Sequence, residues 1–191
     1  MPSPTLYVPD DATLAAAVRG SNAVEGIYAT VGMPGYDDHL AAAQWVRANP
    51  GRAVAYPRVI HERIMAATPY QPGYWRHRDD RFSGYVTVGG RYCPHPQEVP
   101  GLMRSLIADA RAATIGKTAA TIPYSETLWA LHHQFEWVHP FLDGNGRTGR
   151  LWLMALRQSA GYPWVIVDGA DDAARARYYR GITDWIAEHR P

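Results

Sequence analysis

The sequence predicts a mostly α-helical domain, a bundle of amphipathic helices carrying one small β-hairpin. Three observations predict it. Apolar residues recur at helical spacing in successive segments, separated by short Pro/Gly-marked breaks. One stretch alternates in the manner of a strand and meets a Gly89-Gly90 turn. The 191 residues are 47% apolar and 12% aromatic, enough to bury one core of ordinary domain size.

Taken in order, Asp10-Asp11 suit the cap of a first helix through residues 13–18, which Gly20 and Gly26 interrupt or end. Asp37-Asp38 precede a second helix over 40–46, and Asn49-Pro50-Gly51 stop it. Pro57 fits the first turn of a third, where Val59, Ile60, Ile64 and Met65 share a face. Residues 68–82, rich in Pro, Gly, Tyr and Arg, read as loop. The hairpin spans 85–93, Pro94, Pro96 and Pro100 stop it, and 102–113 are helical again. Ser125 caps a helix whose apolar face is Leu128, Leu131, Phe135 and Val138. After a loop at 139–146, the helix over 147–160 is apolar nearly all round, which places it at the centre of the bundle. A last amphipathic helix covers about 171–188.

Composition excludes several classes. With 19% charged residues and a net charge of +1, the chain is neither a solvated disordered polymer nor a protein held to nucleic acid by bulk positive charge. Cys93 stands alone, so neither an intrachain disulfide nor a cysteine zinc cluster is available. No apolar run is long enough for a membrane span, and the first residues lack the pattern of a signal peptide. A cytoplasmic protein with neither nucleic acid nor membrane among its partners is expected, and a homo-oligomer stays open.

The chemistry concentrates in His139-Pro140-Phe141-Leu142-Asp143-Gly144-Asn145-Gly146-Arg147-Thr148-Gly149-Arg150, between two predicted helices. Glycines and an asparagine let the backbone approach a ligand and expose successive N–H groups at a helix N-terminus, which favours an anion. Arg147 and Arg150, three apart, stand on one side of that helix. Asp143 beside an anion nest suits a divalent cation shared with phosphate. His139 is a base that titrates near neutral pH. Together these are the parts of phosphoryl or nucleotidyl transfer. A Walker A loop fails because Arg150-Leu151 follow Gly149, and an EF-hand fails because Met154 stands where a bidentate Glu belongs. His132, His133 and His139 lack a familiar zinc spacing. A Gly-rich interhelical turn with two surface arginines would account for the glycines, but not for the imidazole, carboxylate and guanidinium groups together.

The twelve residues 139–150 resemble the signature of the Fic (Fic/Doc) family, His-x-Phe-x-Asp/Glu-Gly-Asn-Gly-Arg-x-x-Arg, at every fixed position. The resemblance implies a Fic-type helical bundle and transfer of AMP from ATP to a hydroxyl of a target protein, with Mg2+. It implies that His139 is the base and that Phe141 anchors the loop. Asp143 would hold magnesium, Gly144, Asn145 and Gly146 would form the anion hole, Arg147 would bind phosphates and Arg150 the γ-phosphate. Around the hairpin, Val88, Gly89, Gly90, Arg91 and Tyr92 resemble the family's flap, which docks an extended target segment by strand addition. Residues 175–182 resemble the family's C-terminal helix, which implies that Tyr178 would flank the adenine. Cys93 is expected to be a small filler rather than a nucleophile.

Ser21-Asn22-Ala23-Val24-Glu25-Gly26 resembles the family's inhibitory motif, Ser/Thr-x-x-x-Glu-Gly/Asn, in the subgroup with an N-terminal inhibitory helix. The implied brake is a competition in which Glu25, with Ser21 a turn before it, pairs with Arg150 and denies it to the γ-phosphate. The expected organisation is an inhibitory segment at 1–36 and a Fic core at 37–191 in one compact domain, with no appended DNA-reading module. The expected function is autoinhibited, Mg-dependent protein AMPylation on Ser, Thr or Tyr. The alternatives are a Fic-fold transferase of phosphate or another nucleotide, and a non-catalytic ATP-binding regulator.

Overall fold

The computed structural model describes residues 7–69, 72–76, 86–114 and 125–190. The first helix, α1 (Asp11–Val24), is capped by Asp10, whose carboxylate accepts from the Thr13 backbone N–H at 2.8 Å. Gly20 does not break it, contrary to expectation. It is buried, and a Cβ there would collide with the carbonyl of Val167, so the glycine admits the 165–169 segment onto the helix. Next come α2 (Pro34–Ala48), α3 (Pro50–Ala55) and α4 (Pro57–Ile64). Each opens on a proline, whose missing N–H costs nothing in a first turn. That explains two further departures. The second helix starts at Pro34, before Asp37-Asp38, and Pro50 opens a new helix where a stop was expected.

The hairpin is real but short. Strands β1 (Thr87–Val88) and β2 (Arg91–Tyr92) pair antiparallel, Thr87 opposite Tyr92 and Val88 opposite Arg91. Gly89 and Gly90 have φ of 57° and 77°, the left-handed pair a two-residue turn demands. Tyr85, part of the expected strand, lies outside the described residues, as do 77–82 of the expected loop. Pro100 sits in the first turn of α5 (Val99–Thr114) rather than ahead of it. The helices α6 (Ser125–Val138), α7 (Asn145–Ser159) and α8 (Asp172–His189) follow. The Ser125 side chain, expected to cap α6, lies outside the described residues.

α7 is the central helix, as its apolar run predicts. It packs on each of α1 to α6, and Trp152, Ala155 and Leu156 are fully buried. α8 lies against α6, and a smaller cluster of Val24, Tyr178, Ile182 and Ile186 joins it to the end of α1. Among the described residues no helix is long and apolar enough to cross a membrane.

Candidate active site

The turn between α6 and α7 is held by residues from two distant segments, α4 with its C-cap and residues 72–76. Phe141 is fully buried and stacks on His61, with ring centroids 3.7 Å apart. The Asn145 side chain closes the turn on itself: its Oδ1 accepts from the Phe141 N–H and its Nδ2 donates to the Phe141 carbonyl, both at 2.8 Å. His61 Nδ1 accepts from the Gly73 N–H at 2.8 Å, so the ring proton is on Nε2, which donates to the Asp143 carbonyl at 3.0 Å. Burial lowers the His61 pKa to about 4, so the neutral tautomer that makes both bonds persists at pH 7. Gly144 caps α7 at φ 73°, and a Cβ there would strike the Met65 sulfur.

His139 opens this turn in an unusual conformation, φ 47°. Arg76, 2% exposed, makes that backbone possible: its Nε donates to the His139 carbonyl at 2.8 Å and its Nη2 to the Val138 carbonyl at 3.2 Å. Its own N–H donates to the Pro140 carbonyl at 2.8 Å. The His139 Nδ1 lies 3.2 Å from the Glu136 carbonyl, which can only accept, so Nδ1 carries the proton and Nε2 offers the lone pair. Burial lowers this imidazole to about pKa 4, which keeps it an unprotonated base at neutral pH.

Beyond the turn, the first N–H groups of α7 have no intrahelical acceptors and face a cavity of about 260 Å³ lined by His139, Asp143, Gly144, Asn145, Gly146 and Arg147, with Glu25 on its rim. The side chain of Asn145 is turned inward, so its contribution to an anion hole is its backbone N–H alone. Asp143 Oδ1 accepts from the Gly144 N–H at 2.6 Å and Oδ2 lies 3.8 Å from Arg147 Nη2. The carboxylate is half exposed, a hard oxygen donor beside an anion site. Among the described residues no group of three acidic, His or Cys side chains surrounds it. A lone carboxylate oxygen of this kind is a donor that magnesium would take together with waters and phosphate oxygens.

Arg150 is 1% exposed, and each of its three nitrogens donates a hydrogen bond. Its Nε donates to Ser21 Oγ at 2.8 Å, and its Nη2 donates to the Ser21 carbonyl at 2.9 Å and to Glu25 Oε1 at 2.7 Å. Nη1 donates to the Tyr178 hydroxyl at 3.3 Å. Burial penalises the charge, but Tyr178, Glu25 and Glu136 more than offset it, and the pKa is raised. Gly146 completes the fit, because a Cβ there would collide with the Glu25 carboxylate. Glu25 lines both the cavity at the start of α7 and a second one of about 220 Å³ between the hairpin and α8.

The family model described as Fic/DOC family matches residues 54–156, more than half the chain. The chain belongs to the Fic/DOC family. Curated relatives named protein adenylyltransferase Fic are similar over 121 residues, at 31% identity in Drosophila persimilis and 32% in Drosophila erecta. That match covers 63% of this chain but only 21–22% of theirs, so the chain spans about a fifth of their length. The fold resembles a Fic-domain signaling protein of Bacteroides thetaiotaomicron, with TM-score 0.72, 19% identity, and 91% of this chain against 71% of that one. It also resembles Fic-1 of C. elegans (residues 134–508), with TM-score 0.64, 22% identity, and 93% against 59%.

Within this Fic fold, the signature residues and the N-terminal pair Ser21 and Glu25 converge on one site, although that pair lies 125 or more residues from Arg150. The hairpin divides. Val88 and Gly89 line the second cavity, whereas Gly90, Arg91 and Tyr92 are exposed on its outer side. Tyr178 lines that cavity too, but its hydroxyl is committed to Arg150 and to His132 Nε2 at 3.0 Å, so it orients the arginine as well as walling the space. The neighbouring Tyr179 is the more open ring, 41% exposed. Burial pushes the Cys93 thiol up to about 11, in keeping with a filler. Sequence reasoning missed Arg76, His61 and Glu136. The first two lie in segments without a motif, and their signal is only a lone polar residue among loop or helix neighbours. Glu136 had a readable signal, a carboxyl one turn before His139 on a helix with an apolar face.

Proposed function

We propose that this chain is an autoinhibited, magnesium-dependent protein adenylyltransferase that moves AMP from ATP to a Ser, Thr or Tyr hydroxyl of a target protein. The observation that carries the reading is the Glu25–Arg150 pair, standing across a cavity otherwise formed by an imidazole lone pair and a helix N-terminus. The names of the adenylyltransferase relatives support the same chemistry.

In this reading the triphosphate lies along the first turn of α7, its charge met by backbone N–H groups and Arg147. Asp143 holds magnesium, which neutralises phosphate charge when bound. A target segment at the Val88–Gly89 edge of the hairpin brings its hydroxyl to His139. Nε2 takes the hydroxyl proton as the oxygen bonds to the α-phosphorus and the bond from that phosphorus to the bridging oxygen of pyrophosphate breaks. Desolvation leaves His139 unprotonated before the step, and the phosphates beside it favour the imidazolium after it. While Glu25 holds Arg150, the γ-phosphate lacks its partner.

The test is incubation of wild type, Glu25→Gly and Glu25→Gly/His139→Ala with ATP labelled at the α- or the γ-phosphate. The reading requires α-label on protein, more in Glu25→Gly, and none in the double variant. γ-Label would identify a kinase. Saturable ATP binding with no protein label from either position would identify a regulator.

A further inference from the structure

Glu136 is 4% exposed on α6, one turn before His139, and it lines the second cavity with Glu25, Arg150 and Tyr178. Its Oε1 has no hydrogen-bond partner among the described residues and lies against the Gly149 backbone, where a Cβ would collide with it. An ionised carboxylate so placed is costly unless paired. The groups that face it come from every side: Glu25 at the C-cap of α1, His132 of α6 itself, Arg150 of α7, Tyr178 and Tyr179 of α8 and Cys93 beside the hairpin.

Proton accounting around it is tight. His132 Nδ1 lies 3.0 Å from the Gly149 carbonyl, so it carries the ring proton, and Nε2 accepts from the Tyr178 hydroxyl at 3.0 Å. Burial keeps His132 neutral by lowering its pKa well below the ordinary value. The Tyr178 oxygen accepts from Arg150. The hydroxyl proton of Tyr178 is therefore directed at His132, so a neutral Glu136 carboxyl, which shares the cavity wall with Tyr178, can donate to the Tyr178 oxygen, whereas an ionised one has no proton to offer it. Burial raises that carboxyl to about 7, where both states are populated.

Arg150 is the cation that favours the ionised form of Glu136. A phosphate that engages Arg150 both diverts that positive charge and adds negative charge nearby. We propose that Glu136 is a positioning residue that takes up a proton when the terminal phosphate of the nucleotide engages Arg150, and that the resulting carboxyl holds Tyr178 and, through it, Arg150 in the phosphate-binding pose. This rests on the reading of Arg150 as the terminal-phosphate partner.

The experiment is calorimetric titration of Mg-ATP into the Glu25→Gly protein at pH 7.5, in two buffers of different protonation enthalpy. More than about half a proton should be taken up per ATP, and the Kd should weaken by up to about tenfold per pH unit above 7.5. Adding Glu136→Gln, which keeps the shape and removes the ionisation, should abolish that uptake and flatten the pH profile relative to Glu25→Gly. The titration of ATP itself is common to both proteins and cancels. Glu136→Asp should restore the linkage. ATP binding with no linked proton in the Glu136-containing protein overturns the role of Glu136 alone, whether or not the glutamine variant folds. Binding that survives Arg150→Ala unchanged overturns the Arg150 reading, and this inference with it.

Discussion

Replacing Glu25 by glutamine keeps the length of the side chain and removes its charge, so it isolates the electrostatic part of the contact with Arg150. The contact is a single charge-assisted hydrogen bond of 2.7 Å between a guanidinium that is 2% exposed and a carboxylate that is 34% exposed. Hydrogen bonds to charged groups contribute about 1.5–3 kcal/mol, and the exposed side of Glu25 argues for the lower half of that range. Taking ~1.5–2 kcal/mol, the latched state outweighs the open one by roughly 10–30-fold, and the apparent affinity for ATP falls by the same factor. The amide introduced by Glu25→Gln would still offer Arg150 a neutral oxygen, so recovery should be about 5–20-fold, with Glu25→Gly recovering the full factor of about 10–30. Fluorescent-nucleotide titration reads the Kd, and incorporation of α-label reads the rate. Ser21→Ala removes the 2.8 Å bond to Nε but leaves the Ser21 carbonyl in place, so its effect should be smaller. Glu25→Gln and Glu25→Gly proteins that bind ATP within about twofold of wild type would refute the latch.

His139→Ala should lower the single-turnover rate of α-label transfer by about 10²–10⁴-fold while changing ATP affinity little, because the imidazole acts on the hydroxyl proton rather than on nucleotide binding. Phe141→Ala removes a fully buried ring stacked on His61 and should cost about 3–5 kcal/mol in urea denaturation, with loss of activity as the turn loosens. Arg76→Met keeps volume but leaves the Val138 and His139 carbonyls without their donor, and should destabilise by about 2–4 kcal/mol. Stability should also fall with acid. His39 at about 3, His61, His133 and His139 at about 4, and His132 well below its ordinary value are lowered chiefly by burial, so the unfolded chain binds protons first and stability is lost as pH falls below 6.5. Glu136, raised by burial to about 7, acts in the opposite sense, since its proton favours the folded chain between pH 4.5 and 7. The five histidines outnumber it, and even with the half-buried His133 discounted the net loss between pH 7.0 and 5.5 should be about 3–5 kcal/mol, read as a lower urea midpoint. A midpoint that rises over that interval would contradict the burial of these rings.

The residues of 139–150 were legible from the chain alone because their chemistry is local. A glycine bend that feeds a helix N-terminus sets its own backbone dipoles, and residues three and four apart on a helix are neighbours wherever the helix packs. For the same reason the sequence determined the helical class, the central position of α7 and the Gly89-Gly90 turn. Helix boundaries at Gly20, Pro50 and Pro100 were not legible, since each residue is tolerated by where it packs or which turn it occupies.

The meeting of Glu25 with Arg150 was suggested by a motif, but its occurrence is tertiary: the two lie 125 residues apart, and the close packing of α1 on α7 at Gly146 brings them within 2.7 Å. Arg76 under the His139 carbonyl, the neutral tautomer of His61 and the unpaired oxygen of Glu136 were decided there as well. Burial creates these features. A carbonyl, a ring nitrogen or a carboxyl takes its partner and its pKa from what replaces water around it, and that replacement is known only once distant segments have packed.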